Sequence, residues 1–135
     1  MRQTKNKSKK LKTFTFTEEV FGVKFMLLLG DKLAANLYLT KKYNLYEDAI
    51  PQNLNGCHFY ITNKKDIIER FIWMENWEWY PEEMGTLIHE ISHLTDRIFE
   101  SMGIEIVDTE LRAYYLDFWC VKIIKKLNQW TKNKN

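Results

Sequence analysis

Two histidines four residues apart, with a glutamate directly after the first, stand at His89-Glu90-Ile91-Ser92-His93. In a helix, residues at this spacing lie one turn above each other on one face. Two such imidazoles can reach a single metal ion at about 2.0–2.1 Å each. Glu90 then flanks the same site, where its carboxylate can take a proton from a metal-bound water. This is the H-E-x-x-H arrangement, and the ion it suits is zinc. A catalytic zinc keeps three protein ligands and one open position for water, so a further donor must come from another element.

The motif sits inside a strong helical pattern over residues 81–103. Pro81 suits a first helical position, Glu82 and Glu83 place negative charge in the first turn, and Gly103 can end the helix in the left-handed conformation. Met84, Leu87, Ile88, Ile91, Thr95, Ile98 and Met102 recur at three- and four-residue spacing. They form an apolar stripe roughly 100° wide, and His89 and His93 fall nearly opposite it.

A second helix is expected from Asp108-Thr109, in the N-cap position, to about Trp130. Its set of Leu111, Tyr115, Phe118, Trp119, Ile123 and Leu127 implies burial on most sides of its first half. Glu110 lies in its first turn. Antiparallel packing after a short connection brings that turn beside the His93 half of the motif helix, and Glu110 is the leading candidate for the third ligand. Asp96 and Glu100, on the histidine face, are the alternatives. Asp117 is a candidate for orienting a ligand from behind, and Tyr114 for donating to a developing oxyanion. His58, the third histidine, reads as structural.

The remaining text reads as a small sheet and one helix. Thr13 to Thr17 alternates polar and apolar, and Val20 to Leu29 is β-rich. A helix of about a dozen residues follows Asp31, with Asn44 at its end. Cys57 to Thr62 and Ile67 to Met74 form a hairpin across Asn63-Lys64-Lys65-Asp66. The aromatics of Glu75 to Tyr80 cover the start of the motif helix. The expected architecture is α+β: a small, mostly antiparallel sheet, an early helix, and two helices that form the site. The single domain spans 13–130, between a basic tail (1–12) and a fraying end (131–135).

Bulk properties narrow the classes. A net charge of +2 over 135 residues gives little reason to expect a nucleic-acid partner, and the basic tail reads as solubilising. The N-terminus lacks the apolar core of a secretion signal, and the longest apolar run, Phe25 to Leu29, is far too short to span a membrane. Two cysteines outside any C-x-x-C pair suit free thiols, so a cytoplasmic location is expected.

The run TLIHEISHLTDRIFESMGIEIVDTELRAYYLDF resembles the small zincin-like metallopeptidases of phages and prophages, and more distantly the minimal gluzincins. The resemblance covers about residues 55–120. It implies a zincin-like fold, a substrate-cradling edge strand, His89 and His93 as zinc ligands, Glu90 as general base and Glu110 as third ligand. Thermolysin-like gluzincins carry an Asp four residues after the ligand Glu, where this chain has Tyr114. The expected function is zinc-dependent hydrolysis of a peptide or protein substrate. The alternative is an inactive metal-binding zincin that serves as a partner-binding module.

Overall fold

The computed structural model of the chain describes residues 10–51, 54–105 and 109–133. Lys12–Thr17 (β1) and Lys24–Leu29 (β2) pair antiparallel, with Phe14 opposite Leu27 and Phe16 opposite Phe25. The alternation in β1 does what its pattern requires: the phenylalanines are buried and the threonines exposed. Lys32–Tyr43 (α1) follows Asp31 and stops at Asn44, which takes the left-handed conformation at φ 55°. Asn36 then anchors the next loop, since its side chain exchanges two hydrogen bonds with the Ile50 backbone.

Gly56–Thr62 (β3) and Ile68–Met74 (β4) form the expected hairpin. In its turn, Asn63 Oδ1 accepts from the Lys65 and Ile67 amides. The strand order is β1-β2-β4-β3. The two outer pairings are antiparallel, but β2 and β4 run parallel. A parallel pair needs a crossover, and here α1 and β3 lie within the connection. The fold is α+β with a mixed sheet.

Helices Pro81–Ser101 (α2) and Thr109–Asn133 (α3) cover the opposite sheet face from α1. Alternate strand residues sort into two cores. Phe25, Leu27, Ile72 and Met74 pack with Leu87, Ile91, Trp119 and Ile123. Leu28, Phe71 and Trp73 pack with Ala35 and Leu39. Trp73 also donates from Nε1 to Gly30 O at 2.9 Å, satisfying its buried polar group.

Two details of the helices differ from the sequence reading. Because α2 is covered by both the sheet and α3, its buried arc is Leu87, Glu90, Ile91, Leu94, Thr95, Ile98 and Phe99, whereas Ile88 and Met102 are exposed. Because α3 is an outer helix, it buries one stripe only, Tyr115, Trp119, Ile123 and Leu127, and leaves Leu111, Phe118 and Val121 exposed. α3 continues to Asn133, into the stretch expected to fray. Ile104 and Glu105, the start of a short stretch over Ile104 to Val107 whose residue types read as β-like, are not in a strand. The rest of that expected stretch, the Asp108 cap and the first nine residues of the tail lie outside the described residues. No described helix is long and apolar enough to cross a membrane.

Candidate metal centre and adjoining cleft

The start of α2 is fixed by its own sequence. Pro81 occupies the first turn, and Glu83 Oε1 accepts from the Tyr80 amide at 3.1 Å and the Glu78 amide at 2.6 Å. Trp77 is buried beneath this entrance, and Trp79 donates from Nε1 to Thr131 Oγ1 at 3.2 Å, tying it to the last turns of α3. These aromatics cover the helix start, as the sequence suggests.

From there the helical period divides α2 into three bands outside its core arc. His89 and His93 form an exposed crest. Their Nε2 atoms lie 3.0 Å apart, close enough for one ring to donate to the other. Two nitrogens 3.0 Å apart can also both lie about 2.0–2.1 Å from one ion, subtending roughly 95° there. That angle is below the tetrahedral value of about 109°, so the two rings would open by a few tenths of an ångström to take two positions of a tetrahedral site.

On one side of the crest, Ser92 and Asp96 face α3. Arg112 donates from Nε to Asp96 Oδ1 at 2.6 Å, and its Nη2 donates to Ser92 Oγ. These bonds hold the first turn of α3 beside the turn that carries His93. Asp96 is thus engaged by Arg112, and Glu100 by Arg97 at 2.9 Å. Glu110 shares the first turn of α3, exposed and on the side of the helix away from Arg112. Among the described residues, no three His, Cys, Asp or Glu side chains converge closely enough to hold a metal ion. The structure brings His89 and His93 together but does not bring Glu110 onto the same point. Asp117 is exposed farther along α3, beside Cys120, whose thiol pKa it helps to raise after burial. Tyr114 is 71 % exposed and lines a separate cavity of about 560 Å³ with Phe118 and Lys122, away from Glu90.

On the other side of the crest lies a cleft of about 760 Å³ between α2 and the edge strand β3. Glu90, His93, Arg97 and Glu100 line its helix wall, and His58, Tyr60 and Arg70 line its sheet wall. Glu90 is only 7 % exposed. Strand β3 and α2 come closest where Gly56 meets Thr86: a Cβ on Gly56 would lie 2.7 Å from Thr86 Cγ2. Glycine is needed there because the helix crosses directly over the strand.

The cleft is electrostatically uneven. Burial, then the nearby Arg70, His93 and Arg97, lower the His58 pKa to about 4, which keeps the ring neutral near pH 7. Its Nε2 is buried without a hydrogen-bond partner. Arg70 is half-buried, and among the described residues it makes no hydrogen bond or ion pair. Burial and the neighbouring Arg97 guanidinium both lower its pKa.

Arg70 and Arg97 are absent from the sequence reading, and His58 enters it only as a structural histidine. One signal was present for Arg70. It shares strand parity with Ile72 and Met74, so a charge stands on a core-facing row. Compared with protein-family models, curated proteins and solved structures, the chain matches none of them.

Proposed function

We propose that this protein is a zinc-dependent, zincin-like peptidase in which His89 and His93 hold the ion and Glu90 is the general base. One observation carries the reading. The two imidazoles meet at 3.0 Å on the crest of α2, and the next residue, Glu90, turns into an adjoining cleft. A zinc ion held by His89 and His93 would supply Lewis acidity and lower the pKa of a water toward neutral. Glu90 accepts the proton at its carboxylate and returns it to the leaving amine. Its burial favours this role, because a carboxylate withdrawn from bulk water is held in one geometry. The cleft wall of β3 is an edge strand, and its free backbone groups can align an extended peptide. Glu110 is proposed as the third donor. Support comes from the Arg112 bonds, which keep its turn of α3 beside the turn that carries His93. The reading includes a cytoplasmic location, which the two free cysteines suit.

The test is zinc content and peptide hydrolysis of the untagged protein. Wild type is expected to hold close to one zinc per chain, and His93→Ala to lose it. Glu90→Gln should keep the metal while hydrolysis falls by about 10²–10⁴-fold. Glu110→Ala should bind zinc at least about tenfold more weakly. Wild type that binds no zinc on reconstitution would end the proposal. Unchanged zinc affinity in Glu110→Ala would remove that residue from the site. Metal without hydrolysis of any peptide would favour a partner-binding role.

A further inference from the structure

The cleft contains a cation, Arg70, that forms no ion pair with any described residue. Arg70 stands on the α2 side of the sheet, in one cross-strand row with Phe25 and Tyr60. The next row on that face is Leu27, Ile72 and His58. Arg70 and His58 are therefore diagonal neighbours across the β3–β4 pair, within reach of a long side chain. The nearest acidic group on the helix wall, Glu100, is already bonded to Arg97. A half-buried guanidinium beside a second guanidinium, without a carboxylate of its own, is an unfavourable arrangement for folding alone. A buried imidazole nitrogen without a partner, on the same wall, adds a second unsatisfied polar atom.

We propose that Arg70 is a carboxylate-binding residue, so that peptides enter the cleft with a free C-terminal carboxylate at its Tyr60 end. The planar guanidinium offers two parallel N–H donors to the two carboxylate oxygens. A neutral His58 adds a third donor when Nε2 carries its proton. Length sets how far that carboxylate lies from Glu90. Glu90 to Arg97 is seven residues of helix, about 10 Å, which matches about three residues of extended chain. A carboxylate at Arg70 then leaves a short C-terminal product beyond the bond that faces Glu90. The choice of a peptide ligand rests on the peptidase reading, whereas carboxylate recognition itself requires no turnover.

The experiment is an NMR titration of the metal-free protein with N-acetyl-tetra-alanine, as the free acid and as the C-terminal amide. A third peptide, amidated and carrying one internal glutamate, presents a side-chain carboxylate instead. The free acid is expected to bind wild type about tenfold more tightly than the amide. Arg70→Gln should abolish that preference, and Arg70→Lys should keep part of it. Binding of the glutamate peptide as tightly as the free acid would retain the carboxylate site but assign it to acidic side chains. Equal binding of acid and amide to wild type would overturn the proposal, as would full preference in Arg70→Gln or no binding at all. If Arg70→Gln fails to fold, the wild-type pair and Arg70→Lys decide the matter. An acid preference without hydrolysis would sink the peptidase reading and leave Arg70 in place. Hydrolysis without an acid preference would do the reverse.

Discussion

Glu18 shows how much a single buried carboxylate can organise. It is 5 % exposed, accepts from the Phe21 and Val23 amides, and takes the Tyr115 hydroxyl at 3.2 Å. It therefore closes the β1–β2 loop and pins that loop to α3. Replacing it with alanine leaves several buried donors unsatisfied, and we expect a loss of about 3 kcal/mol in urea unfolding. Glu18→Gln, which keeps one acceptor oxygen, should lose roughly 1 kcal/mol. A loss below about 0.5 kcal/mol for the alanine variant would show that water satisfies those donors. Nothing near Glu18 in the chain announces this role, because its partner Tyr115 is 97 residues away. The histidine pair is the opposite case: its geometry follows from a four-residue spacing within one helix, so it could be read directly. Cys57 offers a chemical readout of the core on the α1 side of the sheet. Burial, and then the Glu90 carboxylate, push its thiol up to about 12. Since only the thiolate reacts, native Cys57 should alkylate about a thousandfold more slowly at pH 8 than in urea, and faster as pH rises. Glu90→Gln removes the second cause and should quicken the reaction. Labelling of the native protein at the unfolded rate would contradict this burial.

Among the elements, α3 is the one whose position matters most to the metal centre. Its first turn is fastened to α2 through Arg112, Asp96 and Ser92, a cluster with side chains 25 % and 36 % exposed at the ion pair. Arg112→Met should destabilise the fold by only about 1 kcal/mol, because partial exposure screens the pair. Amide exchange across 109–114 should nevertheless accelerate, while β2 and β4 remain protected. Unchanged exchange there would mean that Tyr115 and Trp119 alone dock the helix. Element boundaries were largely legible because the sequence marks them: Pro81 and Gly103 around α2, Asn44 after α1, and Asn63 in the hairpin turn. Pairing direction was not. Whether β2 meets β4 parallel depends on where α1 and β3 carry the chain, which no local pattern encodes. The burial of α3 was overread for a related reason. An apolar residue shows what a helix can bury, and only the neighbouring layer decides how much of it is covered.

At the scale of the whole molecule, the sheet is sandwiched between α1 on one face and the α2–α3 pair on the other. The edge strand β3 and helix α2 meet closely at Gly56 and Thr86, and the cleft lies farther along the same pair, between His58–Tyr60 and Glu90–Glu100. Gly56→Ala should destabilise the protein by about 1–3 kcal/mol, because the new methyl group overlaps Thr86 Cγ2. Thr86→Ser removes that methyl and keeps the hydroxyl that bonds Glu82 O at 2.9 Å. The double variant should therefore recover much of the loss, and no recovery would shift the clash to the Trp73 carbonyl, 3.2 Å from the same position. The pair 56/86 thus works as a caliper screw for the whole groove. A small residue at both sites lets helix and strand approach, and an added carbon at either one should push them apart without replacing any group that performs chemistry. Laboratory selection for bulkier ligands has a ready first target in these two codons, which stand one helical turn before Glu90 and two residues before His58 and replace neither.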